Sequence, residues 1–117
     1  MLKMMCYATR YDALMDAWST PIYAMSVTNA DGITRTVNIT TTVVPLKEGD
    51  KNVFGGKTGT LNRYGYNVGE IAIMPDGRKV AMVTLGASSD KDRAADIREV
   101  MRSLELSFNW LSRPNNS

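Results

Sequence analysis

The stretch Val53-Phe54-Gly55-Gly56-Lys57-Thr58-Gly59-Thr60, followed by Tyr64-Gly65-Tyr66-Asn67, decides how this chain is read. Three glycines flank a Lys-Thr pair. Glycine stands where backbone must come close to something a side chain would block. The lysine brings a positive charge and the threonine a hydroxyl beside it, a combination suited to an anionic group such as a carboxylate. An amide just past Gly59, at a sheet edge, is placed to point at an oxyanion. Gly56-Lys57-Thr58 also ends like a phosphate-binding P-loop. That pattern requires a glycine where Lys51 stands and a helix starting at once, whereas Gly59, Asn62 and Gly65 follow. The plain alternative is a glycine-rich turn with an exposed lysine.

Outward from this segment the pattern is one of strands and turns. Tyr66 to Met74 reads as a strand, Pro75-Asp76-Gly77 as a turn, and Arg78 to Gly86 as the returning strand. Its apolar run Val80-Ala81-Met82-Val83 predicts a central strand covered on both faces. Beyond it, Ile97, Val100, Met101, Leu104, Phe108 and Leu111 recur at helical spacing, and Asp90 and Asp92 sit where the helix dipole favours acids. Upstream, Ile22 to Thr28 and Ile33 to Val43 predict two strands joined by the hairpin turn Asn29-Ala30-Asp31-Gly32. Pro45 to Asn52 reads as a loop. Before the first hairpin, Thr9 with Asp12 three residues on resembles a capping box opening a helix along Ala13, Leu14, Met15 and Trp18, which Pro21 stops. The fold class that follows is α+β: an antiparallel sheet flanked by helices.

Composition narrows the chemistry. The 117 residues suffice for one domain, expected over 1–113 with a tail at 114–117. A net charge of +2, with both signs interspersed, argues against a nucleic-acid partner. No apolar run approaches the ~20 residues of a membrane span, and Met1 to Cys6 has neither the apolar length nor the cleavage site of a signal peptide. The sequence holds no histidine, so a Ser-His-Asp engine and a histidine zinc site are ruled out. Its one cysteine, Cys6, is expected to be a small buried hydrophobe. No cofactor and no metal is expected.

More than three letters of the central segment match a known pattern. Gly56-Lys57-Thr58-Gly59 and then Tyr64-Gly65-Tyr66-Asn67 resemble the K-T-G…A-G-Y-N stretch of serine-type D-alanyl-D-alanine carboxypeptidases, the low-molecular-mass penicillin-binding proteins. Arg78 to Gly86 is similar to their final strand, and Arg93 falls where they place an arginine before the last helix. Upstream, Tyr7-Ala8-Thr9-Arg10-Tyr11-Asp12-Ala13-Leu14 resembles their Y-S-T-A-R-D-L-A. The resemblance runs from about Tyr7 to Leu111 and implies the C-terminal part of a penicillin-binding or β-lactamase-like transpeptidase domain.

The resemblance also implies roles. Lys57 would hold the terminal carboxylate of a peptidoglycan D-Ala-D-Ala peptide, or of a β-lactam, and tune proton transfer. Thr58 and Gly59 would line that subsite, Thr60 would lend its backbone N–H to the oxyanion hole, and Arg93 would add a second positive charge. A helix-start arginine paired with Asp90 or Asp96 is the plainer reading of Arg93. Tyr66 and Asn67 are expected to shape the strand. The complete enzyme would work outside the cytoplasmic membrane through an acyl-enzyme. The family's Ser-x-x-Lys and Ser-x-Asn precede K-T-G, and neither stands upstream of Lys57 here. The letters recur at Ser88-Ser89-Asp90-Lys91 and Ser107-Phe108-Asn109, downstream and in the wrong order. The chain alone is therefore expected to be inactive unless a partner chain or a missing N-terminal half supplies the serine. A class A-like β-lactamase fragment and a non-catalytic anion- or peptide-binding module are the alternatives.

Overall fold

The computed structural model describes residues 1–111, with side chains through residue 108. The expected tail 114–117 and the expected domain end at 113 lie outside the described residues, as does the side chain of Leu111. The elements run α1 (Leu2–Ala8), α2 (Asp12–Ser19), β1 (Ile22–Thr28), β2 (Thr34–Thr40), α3 (Val44–Lys47), β3 (Val53–Leu61), β4 (Gly65–Ile73), β5 (Lys79–Ala87) and α4 (Asp90–Leu111). Strands β1 and β2 form a two-stranded sheet of their own, and β3-β4-β5 form a three-stranded antiparallel meander. The α+β class is as the sequence predicted, with two sheets in place of one.

Helix α4 covers one face of the meander. Its residues Ile97 and Met101 close a core with Val68, Ala72, Met74 and Met82, and Val80, Val100, Leu104 and Phe108 pack around the edge of that core. The three-four spacing of α4 is thus a true core stripe. Helices α1 and α2 sit on the opposite face. There Met5 lies against Gly69, where an added Cβ would come within 2.7 Å of the Met5 sulfur. Gly55 meets the end of α2 still more closely: a Cβ would stand 2.4 Å from the Trp18 carbonyl oxygen. Close approach is the reason for glycine at both positions.

Four expectations are corrected. Thr9 does not open the second helix. It caps the end of α1, its hydroxyl donating to the Cys6 carbonyl at 2.6 Å, while Tyr11 precedes α2 with no side-chain cap. The same T-x-x-D letters serve a helix end because a helix already precedes them. Cys6 is exposed, and Met5 and Ala8 are the buried residues of α1. The segment between β2 and β3 is a one-turn helix, α3, with Pro45 in its first turn, where the missing N–H costs nothing. Strand β5 lies at the edge and β4 at the centre of the meander, and β4 carries the continuous burial, from Val68 to Ala72. The apolar run in β5 packs against α4 and α1; it is not flanked by strands on both sides.

Candidate functional site

Strand β3 is the outer strand of the meander and carries Lys57-Thr58-Gly59-Thr60. Its pairing with β4 sets Lys57 opposite Gly69, Thr58 opposite Val68, Gly59 opposite Asn67 and Thr60 opposite Tyr66. Alternation along the strand separates the functional groups. Lys57 shares the α1–α2 face with Gly69 and Met5, whereas Thr58 and Thr60 share the α4 face with Val68 and Arg93. The Lys57 ammonium is exposed and donates to the Thr58 carbonyl at 2.5 Å. The Thr58 hydroxyl pairs with that of Thr42 at 2.5 Å. A Cβ at Gly59 would meet nothing within 4 Å, so this glycine opens onto space. The glycines of the motif therefore do two jobs: Gly55 and Gly56 fit against neighbouring backbone, and Gly59 keeps the strand surface bare.

The structure brings Arg93 to the same strand. Its guanidinium donates from Nη1 to the Thr60 hydroxyl at 3.1 Å, pairs through Nη2 with Asp90, and lies 5.3 Å from the centre of the Tyr66 ring. Arg93 is only 7% exposed. The plainer reading, a helix-start pairing with Asp90, is present, and the guanidinium also reaches the end of the Lys-Thr-Gly-Thr strand. Lys57 and Arg93 stand on opposite faces, so an anion reaching both would lie across the open edge of β3.

Asn67 fastens the strands together. Its amide nitrogen donates to the carbonyls of Gly59 and Gly65, and its side-chain oxygen accepts the Gly86 N–H at 2.8 Å. One side chain thus ties β3, β4 and β5 beside Gly59. Next to it, a cleft of about 690 Å³ runs between β3 and the N-terminal helices, with Met4, Met5, Trp18, Leu61 and Leu85 on its walls and Lys57 and Thr58 at its rim.

Of the downstream serine patterns, Ser89 has a structural role. The Ser89 side chain accepts the Asp92 N–H at 3.0 Å and its carbonyl accepts the Arg93 N–H, which makes Ser89 the cap of α4. Ser107 is exposed in the body of α4; Asn109 lies among the residues whose side chains are not described. Sequence reasoning missed one residue altogether. Glu70, on β4 opposite Gly56, is 1% exposed, and burial followed by the nearby Asp50 charge pushes its carboxyl up to about 7. The available signal was a single acid in the apolar run Val68 to Ile73. No cluster of metal-ligating side chains exists among the described residues.

No protein-family model and no curated protein matches the sequence. Solved structures do. The architecture is that of a DD-transpeptidase domain, in part. The crystal structure of the Streptomyces K15 DD-transpeptidase matches 86% of this chain with a TM-score of 0.76 at 22% identity. An alanine mutant of that enzyme matches equally well, and a histidine mutant matches 80% of the chain with a TM-score of 0.71 at 21% identity. The chain spans 36–38% of the length of these structures. The likeness establishes the fold that the sequence resemblance implied, that of part of a DD-transpeptidase-like domain.

Proposed function

We propose that this chain is the carboxylate-recognising part of a serine-type D-Ala-D-Ala peptidase domain acting on peptidoglycan stem peptides, with carboxypeptidase rather than transpeptidase outcome. The observation that carries the proposal is the bond from Arg93 to Thr60, which joins the helix-start arginine to the strand bearing Lys57. In this reading Lys57 and Thr58 hold the terminal carboxylate, Gly59 leaves room for it, and Arg93 adds charge from the other face. The Thr60 backbone N–H donates to the carbonyl oxygen as negative charge develops there. A serine attacks the penultimate D-alanine carbonyl, the peptide bond breaks, D-alanine leaves with the serine's proton on its amine, and water then cleaves the acyl ester. That serine is not upstream of Lys57 in this sequence, so the chain by itself is expected not to form the acyl-enzyme. The complete domain would act on the outer side of the cytoplasmic membrane; no described helix is long and apolar enough to cross one.

The test is equilibrium binding of a peptide ending in D-Ala-D-Ala, compared with the same peptide as its C-terminal amide, together with labelling by a fluorescent penicillin. Saturable binding that needs the free carboxylate and is lost in Lys57→Ala supports the proposal. Equal binding of acid and amide, or no binding at millimolar peptide, overturns it. Covalent labelling of the chain alone would locate a nucleophile within it and overturn the expectation of inactivity. Reading the coding sequence upstream of Met1 for an in-frame Ser-x-x-Lys separates a part of a longer enzyme from a binding module.

A further inference from the structure

Glu70 has no role in the reading above, yet it is the most deeply buried ionisable side chain in the described structure. It stands at the centre of the sheet, between Gly56 of β3 and Met82 of β5, and one of its carboxylate oxygens is fully enclosed with no hydrogen-bond partner. A cavity of about 220 Å³ opens beside it under the segment that joins β2 to β3. Among the described residues, charged groups face Glu70 from two elements and across a second cavity. Asp50 comes from the joining segment; Arg98, Arg102 and Glu105 come from α4; Arg93 lies across a second, smaller cavity shared with Thr58. The facing residues of α3 and β5, Pro45 and Met82, are not ionisable.

We infer that Glu70 is a proton-operated latch on the segment 43–52, which is closed when the carboxyl is neutral and released when it ionises. The closed segment is held in three ways. Val43 and Pro45 are buried, the hydroxyl of Thr42, just before the segment, pairs with that of Thr58, and Glu48 accepts from Arg98 of α4 at 2.8 Å. A neutral carboxyl tolerates the apolar surround of Val53, Ile97 and Met101. A carboxylate there requires water or a cation. Arg98 is the facing cation that lowers the cost of ionisation, and it is engaged by Glu48 on the segment itself. When Arg98 turns to the Glu70 carboxylate it leaves Glu48, and the segment loses its tie to α4. Because Thr42 touches Thr58, release reaches the Lys-Thr-Gly strand. The titration falls near neutrality, since burial and Asp50 raise the carboxyl to about 7.

The test is amide hydrogen exchange on the intact chain at about pH 5.5 and about pH 8.5, with protection corrected for intrinsic rates. The reporters are the amides of Lys47, Glu48, Gly49 and Asp50, which bond to Val43, Val44, Leu46 and Pro45. The β4–β5 ladder is the internal control. The latch predicts that protection of the reporters falls by about tenfold or more at the higher pH, by more than the ladder's, and that Glu70→Gln abolishes the difference. Should Glu70→Gln fail to fold, Asp50→Asn serves instead. It keeps an acceptor for the Asn52 N–H and moves the midpoint to lower pH by removing the opposing charge. Equal protection at both pH values overturns the latch. So does a fall shared by the whole ladder, a fall that persists in Glu70→Gln, or a midpoint unmoved by Asp50→Asn. None of these readouts uses peptide binding, so failure of the latch and failure of the proposed function are distinguishable.

Discussion

The Arg93 guanidinium donates to the Thr60 hydroxyl across 3.1 Å, and these two residues, 33 apart in sequence, join the last helix to the end of the Lys-Thr-Gly strand. Arg93 is buried, while its two partners, Thr60 and Asp90, are exposed to water. Arg93→Ala should therefore lower unfolding stability by roughly 1 kcal/mol, the net worth of hydrogen bonds whose remaining partners can turn to solvent. Arg93→Lys should recover only part of the loss, because an ammonium cannot reach two partners with the geometry of a planar fork. Urea denaturation of the three proteins measures both.

The two glycines nearest the motif should respond in opposite ways. Gly55→Ala places a methyl 2.4 Å from the Trp18 carbonyl oxygen, so backbone must move, and a loss of about 1–3 kcal/mol is expected. Gly59→Ala meets open space and should leave the midpoint of unfolding almost unchanged, while crowding the surface where a carboxylate would sit. Thermal melts and D-Ala-D-Ala peptide titrations of the two variants check the contrast.

Lys57→Ala should separate binding from stability. The ammonium is exposed, and its one recorded bond is to the carbonyl of the next residue. Its removal should shift stability by less than about 0.5 kcal/mol, as for surface substitutions generally, while weakening binding of the free-acid peptide about tenfold or more. A stability loss as large as that of Arg93→Ala would show that Lys57 is structural.

Asn67→Ala removes three hydrogen bonds that tie three strands beside Gly59, and should cost about 1–3 kcal/mol. Exchange protection should fall first at Gly86, whose N–H loses its acceptor.

Stability should depend on pH through Glu70. Its carboxyl is raised in the folded chain from 4.5 to about 7, so the fold binds the proton more tightly than the unfolded chain does. Its favourable contribution is complete below about pH 4.5, declines as pH rises, and is gone above about 7. The total is up to about 3 kcal/mol at ~1.4 kcal/mol per unit. Glu70→Gln should flatten this part of the profile and be more stable than the parent at about pH 8. Denaturation midpoints between pH 4 and 9 provide the comparison.

Local patterns were legible wherever one residue's neighbours in sequence were also its neighbours in space. The turns at Asn29–Gly32 and Pro75–Gly77 place their glycines at φ 83° and 86°, as their letters demand, and the stripe from Ile97 to Phe108 faces the core. The Lys-Thr-Gly letters alone fit a glycine-rich turn equally well, and it was the resemblance running on through Tyr64-Gly65-Tyr66-Asn67 that set them on a strand, which the structure has as β3. Thr9 misled because a capping residue reads the same at the end of one helix as at the start of the next.

By itself, then, the sequence determined the α+β class, the strand carrying Lys57 and Thr58, the helix beginning near Asp90, and the exclusion of histidine chemistry. The tertiary structure decided the rest. It set β4 rather than β5 at the centre, because strand order depends on pairing between segments and not on either strand's hydrophobicity. It brought Arg93 to Thr60 and buried Glu70 beneath the segment 43–52. Each of these is fixed by contacts between residues far apart along the chain, formed only when α4 closes over the sheet and excludes water from the groups beneath it.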